Sequence, residues 1–206
     1  LGEVPAHWDI AGLKYFFSFE KGKNAQELTK TYVSERSGPY PVYSGQTEND
    51  GIMGRIDDHA YDTDEVILVT TVGAKAMTTK LIEGKYSLSQ NCALIMPYSE
   101  ETDTRFFNYV LKRAFNYERK LLAKIMQPSL RFEDLNQYRV PVPPPSEQEE
   151  ISHFLDNKTE EIDKVISHER GMINHLKELR TSLISEAVTG KIDVRHEVFE
   201  QEEVAA

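Results

Sequence analysis

Acidic residues offer the first candidate chemistry. Asp62 or Asp64, followed by Glu83-Gly84-Lys85, has the order that metal-dependent DNA cleavage requires, with carboxylates to hold Mg²⁺ and a lysine to stabilise charge. The separation is loose, and an E-x-K triplet arises readily by chance in a chain that is 28% charged. The six histidines, His7, His59, His153, His168, His175 and His196, show no close metal-ligand spacing. His168 and His175 would share a helix face but stand about 10 Å apart along its axis, too far for one ion. No phosphate-binding loop, nucleophile elbow or supported Cys–His pair occurs. The sequence therefore carries no positive sign of an enzyme, and no cofactor or metal site is expected.

Residue types that could contact a nucleic acid, if one is the ligand, are also present. Base edges in the major groove call for Arg or Lys at guanine and Asn or Gln at adenine, while many cations only position phosphates. Polar loops supply Lys21, Lys23, Asn24, Arg36, Tyr43, Ser44, Gln46, Thr47 and Asn49. The loop at Lys75, the strand start at Gln90 and Asn91, and the turn from Gln127 to Arg131 add others. Each could equally be a solvated loop residue; Asn91 could cap a turn, and Tyr43 could be core.

The elements that must position them read as an α+β domain. Trp8, Ile10, Leu13, Phe16 and Phe17 suggest an N-terminal anchor around a short helix. The stretch from residue 21 to 58 reads as loops joined by short strands. Strands are expected at 66–69, 78–82 and 87–96, with a tight loop at Gly73-Ala74-Lys75. A helix from about Asp103 follows, then a second helical piece from Leu121 to Met126, a turn from Arg131 to Leu135, and a last strand from Gln137 to Val142.

Beyond three consecutive prolines, Ser146 to Gly190 reads as one long helix. Ser146 and Glu149 have capping-box spacing, and Gly190 stands where a left-handed residue ends a helix. About 44 residues give a rod of about 65 Å. Leu155, Ile162, Val165, Met172, Leu176, Leu179 and Leu183 recur at alternating steps of three and four, the period of a coiled-coil seam. Lys158 and Glu169 interrupt it; Ile151, Phe154, Ile166, Ile173, Ile184 and Val188 widen it on one flank. Packing within one domain would be a plainer use of this stripe, but a partner helix of matching length fits its extent better. The expected layout is a domain over residues 1–145, a long helix with a seam for a partner helix over 146–190, and an acidic tail over 191–206.

The net charge of −10 is unevenly placed. Residues 141–206 hold 15 acidic and 7 basic side chains, leaving 19 acidic and 17 basic in residues 1–140. The first 140 residues are thus near neutral and could present a local basic face. A single cysteine, Cys92, excludes an internal disulfide framework and favours a reducing, cytoplasmic setting. No apolar run approaches the length of a membrane span, and the start at Leu1-Gly2 suggests a trimmed N-terminus.

The stretch PVPPPSEQEEISHFLD, continuing through IDKVISHERGMINHLKELRTSLISEAVTGK, closely resembles the conserved region of specificity subunits of type I restriction-modification systems. Matching positions include Pro143, Pro144, Glu147, Gln148, Ile151, Leu155, Ile162, Asp163, Leu179, Arg180, Leu183, Ile184 and Ala187 to Lys191. The upstream part resembles the variable target-recognition domain of that family. The resemblance implies a double-stranded-DNA-reading subunit without chemistry of its own. It implies that each domain reads half of a bipartite target, that conserved helices pair antiparallel as a spacer, and that methyltransferase subunits dock on them. A separate restriction motor subunit would join through the complex. Usual members have two recognition domains and two conserved regions, whereas this sequence holds one of each. Two copies about a two-fold axis, or a second specificity half, would complete the pattern, and a homodimer would read an interrupted palindrome. Glu169 then meets Arg170 of the second copy near the rod's midpoint and sets register. The alternative is a half-subunit that dimerises and docks partners without a DNA target of its own.

Overall fold

The computed structural model describes residues 3–46, 48–192 and 194. They form two compact units, one ending at His153 and the other beginning at Phe154. The first is α+β. Its strands are β1 (Asp9–Gly12), β2 (Phe17–Lys21), β3 (Tyr40–Tyr43), β4 (Ile52–Ile56), β5 (Tyr61–Thr70), β6 (Thr79–Leu88), β7 (Cys92–Pro97) and β8 (Arg139–Val142). Its helices are α1 (Lys30–Ser34), α2 (Thr104–Leu122), α3 (Phe132–Gln137) and the start of α4 (Pro145–Val188). Six strands make one sheet in the order β2-β7-β5-β6-β3-β4, and β1 pairs with β8 separately. The β3–β6 pairing is parallel and the other pairings are antiparallel.

Alternation explains why Val66–Val69 of β5 and Cys92–Met96 of β7 are apolar without a break. Ile67, Val69, Ala93 and Ile95 face a core shared with Phe106, Phe107, Leu111 and Phe115 of α2. Val66, Leu68, Cys92 and Leu94 face the opposite core, with Tyr61 and Tyr86 stacked 5.4 Å apart. Both faces of these two runs are buried, as their unbroken hydrophobicity requires. A third cluster of Leu28, Val33, Val42 and Ile56 seats α1 against β3 and β4.

Several local expectations are corrected. The N-terminal apolar set does surround a short helix, a 3-10 one at Leu13–Tyr15, but with the unexpected strands β1 and β2 on either side of it. Ser87 and Leu88 continue β6, and β7 starts only at Cys92, because Ser89–Asn91 form the reversal between two antiparallel strands. The helix at Asp103 runs unbroken to Leu122, and Lys124 to Met126 form turns after it. Phe132–Gln137 is helical instead of a turn, with the Asp134 carboxylate accepting from the Arg131 N–H at 2.9 Å. The stretch from 21 to 58 also contains α1, whose N-cap Thr29 accepts from the Tyr32 N–H.

The start of α4 differs too. The Ser146–Glu149 capping box does not form, because the helix already opens at Pro145. Proline suits a first helical position, having no N–H to satisfy and a φ already helical. Other residues hold this end. The Gln148 side-chain amide donates to the Pro143 carbonyl at 2.8 Å, and Ser152 donates to the Asp103 carboxylate at 2.7 Å. The other oxygen of that carboxylate caps α2 by accepting from the Phe106 N–H. Glu147 accepts from the Trp8 indole N–H at 2.9 Å and meets His7 at 2.9 Å. The first nine residues of α4 thus belong to the globular unit.

The second unit is the remainder of α4 and its C-terminal turn. Gly190 has φ +73°, Lys191 N–H donates to the Glu186 carbonyl, and Gly190 N–H donates to Ala187. This Schellman pairing satisfies carbonyls that a helix end leaves free. Along the rod Lys158–Glu161 and Lys164–Glu160 form exposed ion pairs. The tail beyond 194 lies outside the described residues.

Hydrogen bonds from Trp8 and His7 hold the Glu147 carboxyl below the ordinary value of 4.5. Its contribution is therefore present above that value and is lost as pH falls through the lower folded value. Trp8 is the only tryptophan. Its fluorescence should shift on acidification below 4.5. Glu147→Gln should remove the transition; an unchanged transition in that variant would exclude this contact as its source.

Candidate nucleic-acid interface

Four segments converge at one end of the large sheet, and backbone hydrogen bonds bring them there. Ser89 N–H donates to the Tyr43 carbonyl at 2.8 Å, and Thr71 N–H to the Asn91 carbonyl at 2.9 Å. Leu130 N–H donates to Thr71, Gly73 N–H to Pro128, and Val72 bridges Ser129. The β3–β4 loop, the β6–β7 turn, the loop after β5 and the segment before α3 are thereby tied side by side. Because main chain does the tying, the side chains of Gln90, Asn91, Gln127 and Arg131 are exposed.

The β2–α1 loop closes the other wall. The Tyr61 hydroxyl donates to the Lys21 carbonyl at 2.9 Å and accepts from the Lys23 N–H at 3.0 Å. Burial raises the pKa of Tyr61, so this hydroxyl stays protonated as the donor. Gly22 runs against β6 so closely that a Cβ there would meet the Leu88 carbonyl oxygen at 2.7 Å. Gly45 similarly leaves 2.9 Å between a Cβ and that of Asn91.

The result is an open cleft of about 810 Å³ lined by Lys21, Asn24, Gln26, Glu27, Thr71, Gln90, Arg131 and Glu133 among others. It adjoins a second of about 310 Å³ with Ser44, Gln46, Ser89 and Asn91. The two share Ala25, Gln26, Val72 and Gln90. The lining cations Lys21 and Arg131 are matched by Glu27 and Glu133, and the second cleft has no charged lining residue. The groove is a hydrogen-bonding surface, rich in amides and hydroxyls, rather than a cationic one. Cys92 lies beneath it, 1% exposed, with its thiol pushed up to about 12 by burial.

The candidate residues divide accordingly. Lys21, Asn24, Ser44, Gln46, Gln90, Asn91 and Arg131 line the groove. Lys75 is exposed on a loop braced by Thr70, whose hydroxyl donates to the Lys75 carbonyl at 2.6 Å. Gln127 lies beside Gly73 of the same loop. Lys23 packs over the Tyr61 ring at 4.7 Å, and Arg36 stacks on Tyr32 at 3.5 Å; neither lines the groove. Tyr43 is buried against Tyr86, and Ser44 is mostly buried. Gln46 and Asn49 both donate side-chain amides to the Ile52 carbonyl, at 2.7 and 3.2 Å, which holds the β3–β4 loop. Thr47 lies outside the described residues. Gln26, Thr71 and Ser89 line the groove although composition does not single them out, since their proximity depends on strand register.

The acidic pattern is resolved by register. Asp62 stands opposite Lys85 across β5 and β6, at 3.9 Å, and Gly84 sits between Glu83 and Lys85 with φ +76°. Among the described residues no group of three His, Cys, Asp or Glu side chains could hold a metal ion. No helix among them is long and apolar enough to cross a membrane.

The family model for the type I restriction modification DNA specificity domain matches residues 5–170, most of both the groove-bearing unit and the helix. The chain belongs to this family. The specificity subunit of the type I restriction enzyme MpnII of Mycoplasma pneumoniae is 28% identical over 134 residues, covering 65% of this chain and 39% of that one. The S subunit structure from M. genitalium aligns with TM-score 0.61 and 21% identity over 79% of this chain and 42% of that one. That of the HsdS subunit from Thermoanaerobacter tengcongensis aligns with TM-score 0.60 and 17% identity over 93% and 47%. At these identities the structures establish the fold. This specificity-domain chain spans less than half the length of each of these three relatives.

Gly22→Ala should displace the β2–α1 loop, since its methyl would press on backbone rather than a movable side chain. The expected cost is about 1–3 kcal/mol, read by thermal or denaturant unfolding. An unchanged midpoint would show that the loop yields freely.

Proposed function

We propose that this chain is a DNA-reading half of a type I specificity assembly. Its groove reads one part of a bipartite target, and its helix α4 pairs with a second copy to bring in the other. The carrying observation is that one chain joins a specificity-family domain to a helix whose apolar seam is open. Ile162, Val165, Met172, Leu176, Leu179 and Leu183 are each 48–60% exposed, and Leu155 is partly so. A lone chain leaves that stripe in water, and the hydrophobic effect favours a partner of the same length.

An antiparallel two-fold pair suits the seam best, because it puts Glu169 of one copy beside Arg170 of the other near the midpoint. Charged residues in such a seam select register at some cost in stability. Methyltransferase subunits dock on this helical spacer and carry the chemistry, with the restriction motor joining through the complex. The chain itself supplies base recognition through Asn24, Gln90, Asn91 and Arg131, with Lys21, Lys75 and Gln127 at the groove's margin.

Selection of binding sites from a random duplex library tests this directly. The expected winner is an interrupted palindrome with a fixed gap. Selection of a single, asymmetric half-site would refute the symmetric pair, and no enrichment would refute DNA reading. Glu169→Leu should leave the dimer intact while allowing more than one helix register in disulfide trapping; a single unchanged register would remove the role assigned to Glu169.

A further inference from the structure

The groove has no surplus of cations, since Lys21 and Arg131 are offset by Glu27 and Glu133. Affinity for a duplex nevertheless rests largely on phosphate neutralisation. A surface suited to that task lies on α2. Between Lys112 and Lys124 the chain carries five basic residues and one acidic, within a protein of net charge −10. At 100° per residue, Lys112, Arg113, Asn116 and Lys120 fall on the helix face opposite the buried Phe107, Leu111 and Phe115, and Lys124 follows in the turn after the helix. All five are exposed. The one carboxylate, Glu118, is half-buried away from this face and lines a surface cleft with Asp134, its pKa raised by burial and by that neighbour. Arg119 is tied to Thr78 at 2.8 Å and to Asn116, whereas among the described residues no carboxylate pairs with Lys112, Arg113, Lys120 or Lys124.

We propose that this outer face of α2 is a second, sequence-independent DNA contact that tracks the phosphate backbone beside the groove. The inference rests on the DNA-reading function proposed above. Charge complementarity identifies the occupant: cations without carboxylate partners, an interleaved amide, and no aliphatic side chain on the face between Arg105 and Lys120. A protein partner would instead use the exposed Leu121, Ile125 and Met126, at the edge and end of this face. The surface is also continuous with the groove. The chain leaves Lys124 for Gln127, beside Gly73, and reaches Arg131 in the groove wall. Lysines and arginines on α2 would supply affinity, and amides in the groove would supply discrimination.

The test is the salt dependence of binding by the full chain to a short random-sequence DNA duplex. Each phosphate contact contributes about 0.9 to the slope of log affinity against log salt. The variant with Lys112, Arg113, Lys120 and Lys124 all changed to Gln should lower the slope by about 2–4 per chain. It should weaken specific and random duplexes by the same factor. The variant with the three lysines changed to Arg should retain the slope, and an unchanged unfolding midpoint in both keeps folding out of the comparison. Wild-type binding with a slope unaltered by the Gln variant would overturn the α2 contact while leaving the DNA-reading function in place. The α2 contact is overturned equally if the Gln variant binds DNA normally but loses a protein partner. Failure of the wild-type chain to bind any duplex would overturn both.

Discussion

The seam of α4 is a constraint that a single chain does not meet. Seven seam residues are partly or largely exposed, and Ile166, Ile173, Ile184 and Val188 extend the apolar surface on one flank. Burying the exposed part of each seam side chain contributes about 1 kcal/mol, and two copies double it. Association costs about 4–15 kcal/mol in lost freedom, so the flank residues decide whether a pair is stable. The same helix is anchored at its start, where Asp103 serves two elements at once, capping α2 with one oxygen and holding Ser152 with the other. The first nine residues of α4 thus belong to the globular unit, and the rest of the helix carries an apolar seam among charged residues.

Around the groove most of the holding is done by main-chain atoms, which leaves most of the polar side chains there exposed. Main-chain hydrogen bonds bring the β3–β4 loop, the β6–β7 turn and the segments around Thr71 and Leu130 together. Two glycines let strands and loops pass without side chains between them. Gln46 and Asn49 are the exceptions, since their side-chain amides hold the β3–β4 loop at the Ile52 carbonyl. The cores on both faces of β5 and β7 carry the stability.

Much of the α+β fold is legible in the sequence because its signals are local. The long helix is readable from a 3.5-residue apolar repeat, and its end from Gly190. Its start is not, since the Ser146–Glu149 pattern matches a capping box but Pro145 fills the first helical position just as well. The true anchors, Trp8 to Glu147 and Asp103 to Ser152, join residues 139 and 49 positions apart, and no local pattern encodes them. The groove is half legible: polar loops flag Asn24, Gln90, Asn91 and Arg131, but only strand register brings Gln26 and Thr71 beside them. Tyr43 shows the ambiguity of amphipathic residues, for it packs inward on Tyr86 from a loop-rich stretch. The basic face of α2 is obscured because net charge averages it against an acidic rod.

The antiparallel pairing proposed for α4 is most directly tested by dipolar distance measurement between identical spin labels, one per chain. The native Cys92 is buried, so labels can be confined to introduced cysteines. Labels at Glu169 should lie close together across the two-fold axis, whereas labels at Leu183, 14 residues away, should lie about 42 Å apart. Short distances at both positions would mean a parallel pair, and no coupling at either would mean that a second copy does not fill the seam.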